Sequence, residues 1–336
     1  MSTTAALLSL VFSFAILLTG ALMFTNAVEW LGVQLGLGQG AVGSLLAAVA
    51  TALPETLIPI VAVVGGGAGA DQVATGAIIG APFMLATLAL ALVGAAALSY
   101  RRRRPQGSRL AVHADTLARD LAFFAACFAG GFALGLFAAP LWLRILGAIL
   151  LVLAYAWYVQ RTLVRGGSVQ EPETIKPLLF DLTKGDAPSL GTVVAQSVVA
   201  LLAIVGGAHL FVEALTGLAE HAGLEPLVLS LVLAPFATEL PEKMNSFFWA
   251  REGKDALALG NITGAMVLQA TLPVAFGLVF ADWNLDRYAI VAGVLALCGG
   301  GLAAFELRVR ERFAWRAVAA WACLYAAFVV YVALAA

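Results

Sequence analysis

A chain of 336 residues that is 62% hydrophobic, only 12% charged and of mean hydropathy +0.96 is not a soluble globular protein, because those average about 25% charged residues. The formal net charge of −1 says nothing about partners, but its distribution does: the charges sit in short stretches between apolar runs of membrane-spanning length. Cys127, Cys298 and Cys323 fall inside those runs without metal-ligand spacing, so they read as small buried hydrophobes and not as a disulfide framework.

Ten spans are predicted, near 5–28, 39–66, 72–99, 118–138, 141–163, 190–218, 225–250, 255–281, 286–307 and 314–335. The first has no basic leader or clear cleavage site and reads as a retained span. A polar stretch over 164–189, with Glu171, Glu173, Lys176, Asp181, Lys184 and Asp186, divides the chain into five spans and five. It is too short to fold as a regulatory domain. Sixteen of the nineteen basic residues border links that fall on one side of a ten-span topology. That side is the expected cytoplasm, with both termini outside. The run Arg101–Arg104 reads as a positive-inside anchor beside anionic headgroups, not as a nucleic-acid patch.

Two segments break the apolar pattern in the same way: Thr51-Ala52-Leu53-Pro54-Glu55 and Thr238-Glu239-Leu240-Pro241-Glu242. A carboxylate at membrane depth is costly and marks a functional site by default. Each proline lacks an N–H, which frees the carbonyl four residues earlier, at Ala50 and Ala237. A freed carbonyl, a threonine hydroxyl and a carboxylate make an oxygen cluster suited to a hard cation.

The motifs belong to a longer internal similarity. An offset of 187 lays Pro54-Glu55 on Pro241-Glu242, Gly20-Ala21 on Gly207-Ala208, Phe24 on Phe211 and Gly36-Leu37 on Gly223-Leu224. An offset of 184 then lays Asp71, Gly76, Gly80 and Ala81 on Asp255, Gly260, Gly264 and Ala265. An odd number of spans per half requires the halves to have opposite orientations. The chain is therefore expected to be all-α, ten transmembrane helices in two inverted five-helix repeats, 1–163 and 190–336, joined by a cytoplasmic linker 164–189.

These segments resemble those of the calcium/cation antiporter superfamily, which includes the sodium/calcium exchangers. Its repeats carry Thr-Ser-x-Pro-Glu and Gly-Asn-x-x-Gly-Ser-Asn segments in matched helices, and the chain looks like a divergent bacterial-type member. The resemblance implies a cell-membrane antiporter working by alternating access, with calcium and sodium as transported cations, protons as another candidate, and no organic cofactor. By position, Glu55 and Glu242 match the paired ion-binding glutamates, Thr51 and Thr238 the threonines, Ser246 the serine one turn on, and Asn261 the asparagine of the eighth helix. The site is depleted: Ala52 and Glu239 replace the serines, and Gly80-Ala81-Pro82 and Gly264-Ala265-Met266 replace Gly-Ser-Asn.

Glu239 is either an added ligand or the partner of Lys243, four residues on; Ala52 and Thr56 replace both in the first half, which favours a pair. Asn245 reads either as a site residue or as an interhelical hydrogen-bonding polar, Thr75, Thr263 and Gln269 as packing polars, and Asp71 and Asp255 as helix-start carboxylates that complement the dipole. His209 and Glu213 either line a path or pair with each other. With Glu242 they form the constellation that an intramembrane enzyme would use, while a membrane scaffold or receptor is the remaining class. Transport accounts best for the duplicated prolines and glutamates, with small cations and the bilayer as partners.

Overall fold

The computed structural model describes residues 3–34, 53–67, 69–107, 109–112, 114–164, 177–180, 188–310 and 312–335. In hydrocarbon every backbone N–H and C=O must be satisfied within its own segment, so the apolar runs fold as helices. They are α1 Thr3–Gln34, α2 Leu53–Gly65, α3 Ala70–Ser99, α4 Ala114–Leu136, α5 Leu141–Val164, α6 Leu190–Ala222, α7 Pro226–Glu252, α8 Asp255–Phe280, α9 Arg287–Arg310 and α10 Trp315–Ala335. Among the described residues, eight of these are long and apolar enough to cross a bilayer. The two that fall short are α2 and α7, whose apolar parts are Glu55–Gly65 and Pro226–Glu239. Charges from Glu239 to Lys243 cut the run in α7, and residues 39–52 of the second expected span lie outside the described residues.

The links use local chemistry to end each helix. The Ser189 hydroxyl accepts from the Thr192 N–H at 3.2 Å and caps α6. Gly253 ends α7 at φ +84°, a conformation cheap only for glycine, and its carbonyl accepts from the Gln106 side chain at 2.7 Å.

Two close approaches set the packing. α1 lies along α6, and the helices cross at Gly20 and Gly207, residues related by the offset of 187. A Cβ at Gly20 would meet the Ile204 side chain at 2.9 Å, and one at Gly207 would meet Ile16 at 3.0 Å. α3, the most enclosed span, presses against α7 through Gly76 and Gly80. At Gly80 a Cβ would stand 2.3 Å from the Leu231 carbonyl oxygen. Backbone cannot swing aside as a flexible side chain can. Gly80→Val is therefore expected to cost about 3 kcal/mol or more and to lower the melting temperature in detergent. Gly217→Ala, whose added methyl meets nothing within 4 Å, should leave it unchanged.

α3 and α8 are both interrupted. α3 opens into a π-helical turn at Leu85–Ala89, three residues after Pro82. α8 breaks at Ala270–Thr271, ahead of Pro273. The offset of 184 places these interruptions on each other. Pro273 removes the donor to the Gln269 carbonyl and accounts for the break in α8, whereas Pro82 frees the Ile78 carbonyl, ahead of the π-helical turn.

The core is built from α3, α4, α7, α8, α9 and α10, with Phe83, Phe124, Phe128, Trp283 and Trp321 fully or almost fully buried. A second cluster joins α1, α2 and α6 through Leu17, Ile58, Ile204 and Phe211. The outer face of α5 exposes Leu146, Leu150, Leu153 and Trp157, a surface suited to lipid. Cys298 and Cys323 are exposed, so their expected burial fails, whereas Cys127 is half-buried and packs against the core.

Candidate cation-binding site

The site is assembled on α7, where one face is polar over two turns. The Thr238 hydroxyl, nine-tenths buried, donates to the Ala234 carbonyl at 3.1 Å, which leaves its lone pairs available. One residue on, Glu239 is 1% exposed. Its Oε2 stands 3.3 Å from Nζ of Lys243, itself wholly buried, and its Oε1 accepts from Nε2 of Gln269 on α8 at 3.2 Å. A turn later the buried Ser246 hydroxyl accepts from Nδ2 of Asn261 on α8 at 3.0 Å. α7 and α8 therefore share two polar bridges at the level of the motif. Ala237 is buried, and its carbonyl faces the position of Pro241, which has no N–H to offer.

On the other half, Glu55 lies in the first turn of α2 and is 6% exposed. Pro59 stands four residues after it, so the Glu55 carbonyl also lacks its helical donor. α2 packs against α3 and α6 and touches α7. Ala50 and Thr51 lie outside the described residues, as does the side chain of Glu242. A buried carboxylate on each of two neighbouring helices, with weakened backbone ladders beside them, is what a desolvated cation requires.

Several residues read differently in the fold than in the sequence. Glu239 and Lys243 form the ion pair that their spacing allows. Gln269, taken for a packing polar, reaches the site through the break in α8; its carbonyl, facing the position of Pro273, marks it in retrospect. Asp255 does more than complement a dipole: it is buried against Arg104, which also donates to the Ala97 and Arg109 carbonyls, and it accepts from the Ala111 N–H at 2.9 Å. Arg104 thus departs from its exposed neighbours Arg101, Arg102 and Arg103 and is no headgroup anchor. Its guanidinium turns inward because the link folds back over the start of α8. Asp120 was not singled out in the sequence. It accepts from Arg119 at 2.9 Å, from the Tyr158 hydroxyl at 2.9 Å and from the Thr263 hydroxyl at 3.2 Å, joining α4, α5 and α8. The signal was available, an acid two residues inside an apolar span. His209 and Glu213 pair at 3.4 Å, each more than half exposed, and Asn245 is exposed.

The family model for the sodium/calcium exchanger protein matches residues 5–164 and 192–334. A protein of Alkalimonas amylolytica named as an antiporter, CaxA, is 29% identical over 107 residues, 30% of this chain and 34% of that one. An uncharacterized membrane protein of Methanocaldococcus jannaschii is 26% identical over 134 residues, 40% and 41% of the two chains. The matched stretches thus span well under half of either relative. Among solved structures, the H+/Ca2+ exchanger CAX superposes with TM-score 0.72 at 18% identity, covering 98% of this chain and 86% of that one. The native YfkE structure gives 0.68 at 16% identity, with 97% and 90% covered. The sodium-calcium exchanger NCX_Mj gives 0.58 at 18%, with 98% and 99% covered. These likenesses establish a shared fold. The family match covers nearly the whole chain, on both sides of the central link, and this protein belongs to the sodium/calcium exchanger family of membrane cation antiporters.

Proposed function

We propose that the protein exchanges calcium against sodium by alternating access, at a site formed where α2 and α7 meet. In this reading ten helices make two inverted five-helix repeats, 1–163 and 190–336, and the linker 164–189 is cytoplasmic. The observation that carries it is the burial of carboxylates on facing helices: α2 and α7 touch, and each holds a glutamate at least nine-tenths buried, Glu55 and Glu239. The interruptions of α3 and α8 at equivalent positions, and the glycine crossing of α1 with α6, support the inverted repeat. Broken spans in matching halves point to a midplane site. Glu55 and Glu242 would supply the charge, with Thr51, Thr238, Ser246, Asn261 and the carbonyls of Ala50 and Ala237 completing the oxygen shell.

A proton-coupled exchange of the same or another cation is the second reading. It is favoured by Ala52, Ala81, Pro82, Ala265 and Met266, which leave carboxylates as the dominant ligands. A proton and a metal ion competing for one glutamate is in itself an antiport mechanism. Purified protein in liposomes distinguishes the two. Calcium uptake driven by an imposed sodium gradient and lost in Glu242→Gln supports the first. Uptake driven by a pH gradient alone moves the assignment to the second, and no flux of any cation under either gradient refutes both.

A further inference from the structure

Lys243 is an ammonium with no solvent exposure, one residue from Glu242 and on the same turn as the proline. It stands 3.3 Å from Glu239, which Gln269 holds from the other side at 3.2 Å. These two contacts hold the Glu239 carboxylate between Lys243 on α7 and Gln269 on α8. The first half has Ala52 and Thr56 at the equivalent positions, neither of them charged. Stability does not account for the difference, because a buried ion pair is commonly no better than the apolar or neutral residues that could replace it. Membrane depth adds to the cost of each charge.

We propose that Lys243 is a tethered cation, whose ammonium fills beside Glu239 a position that a transported monovalent cation would otherwise occupy. The inference rests on the exchanger reading above. Glu55, Glu239 and Glu242 supply three negative charges and Lys243 one positive, so the site has an excess of two. One divalent ion balances that excess, and so do two monovalent ions. Exchange of one for the other moves no net charge. Without the ammonium the excess is three: three monovalent ions balance it on one leg, whereas the single divalent ion on the other leaves one negative charge uncompensated, so one net charge crosses with each cycle.

Lys243→Gln removes the charge while keeping hydrogen-bonding capacity toward Glu239. In liposomes clamped with a potassium gradient and valinomycin, the variant should become voltage-sensitive. About 60 mV should change its equilibrium calcium accumulation about tenfold, as one charge per cycle requires, and should leave the wild type unaffected. In detergent, sodium should raise the melting temperature of both proteins, with a steeper dependence on sodium concentration in the variant, which binds one ion more. A voltage-independent variant whose sodium dependence is no steeper than that of the wild type overturns the proposal and makes Lys243 a packing residue. If Lys243→Gln does not fold, Glu239→Ala gives the opposite test. The uncompensated ammonium should weaken calcium binding at least tenfold, and Lys243→Thr in the same chain should recover most of the loss. Equal losses in the single and double variants would make Glu239 a direct ligand and refute the tethered-cation role. Absence of transport by the wild type would defeat the exchanger reading instead, while the sodium-dependent melting of Lys243→Gln still reports on the ammonium.

Discussion

Glu55→Gln should lower calcium flux in liposomes by a factor of roughly a hundred to a thousand, with the protein still folded. Two unit charges about 4 Å apart in a partly desolvated site interact by about 4 kcal/mol, and each 1.4 kcal/mol is a factor of ten. The substitution keeps the size and shape of a side chain that is 6% exposed and removes only its charge. Loss of function is separable from loss of fold by adding the ion itself. A cation at about a hundred times its dissociation constant stabilises the state that binds it by about 2.7 kcal/mol. Wild-type protein should therefore melt higher in calcium, and Glu55→Gln should melt at the same temperature with and without it. A variant that retains both flux and the calcium-dependent shift would remove Glu55 from the site.

The second large effect lies away from the ions. Asp255→Asn or Arg104→Gln should destabilise the protein by about 3–5 kcal/mol, because each leaves a buried charge without its partner. The melting temperature in detergent should fall by on the order of 10 °C. The reason is geometric: the Arg104 and Asp255 side chains are 0% and 1% exposed, and the pair ties the link after α3 to the first turn of α8. The double variant Arg104→Met with Asp255→Leu should recover most of that stability, since removing both charges also removes both desolvation costs. Equal losses in the single and double variants would mean that the hydrogen bonds to Ala97, Arg109 and Ala111, not the charges, hold this junction.

Much of the molecule was legible before any coordinates. Apolar runs of spanning length dictate helices, because hydrocarbon offers the backbone no other partner. The paired Pro-Glu segments stood out because carboxylates and helix-breaking prolines are expensive there. The offset of 187 aligned Gly20 with Gly207, but that these glycines pack against the facing helix, and that α3 and α8 are interrupted at positions related by 184, emerged only in the fold. Spacing also brought Lys243 within reach of Glu239, since residues four apart share a helix face.

What the sequence alone determined was an all-helical, membrane-spanning chain and the costly carboxylates buried within it, Glu55 and Glu239. Only the tertiary structure decided which polar residues meet: Gln269 with Glu239, Asn261 with Ser246, Tyr158 and Thr263 with Asp120, Arg104 with Asp255. Each of these contacts joins different helices or a helix to a distant link, and hydrophobic periodicity along one helix is silent about the rotation and depth of its neighbour. The glycine contacts at Gly80 and Gly207 set those variables, by fixing how closely and at what level two backbones pass.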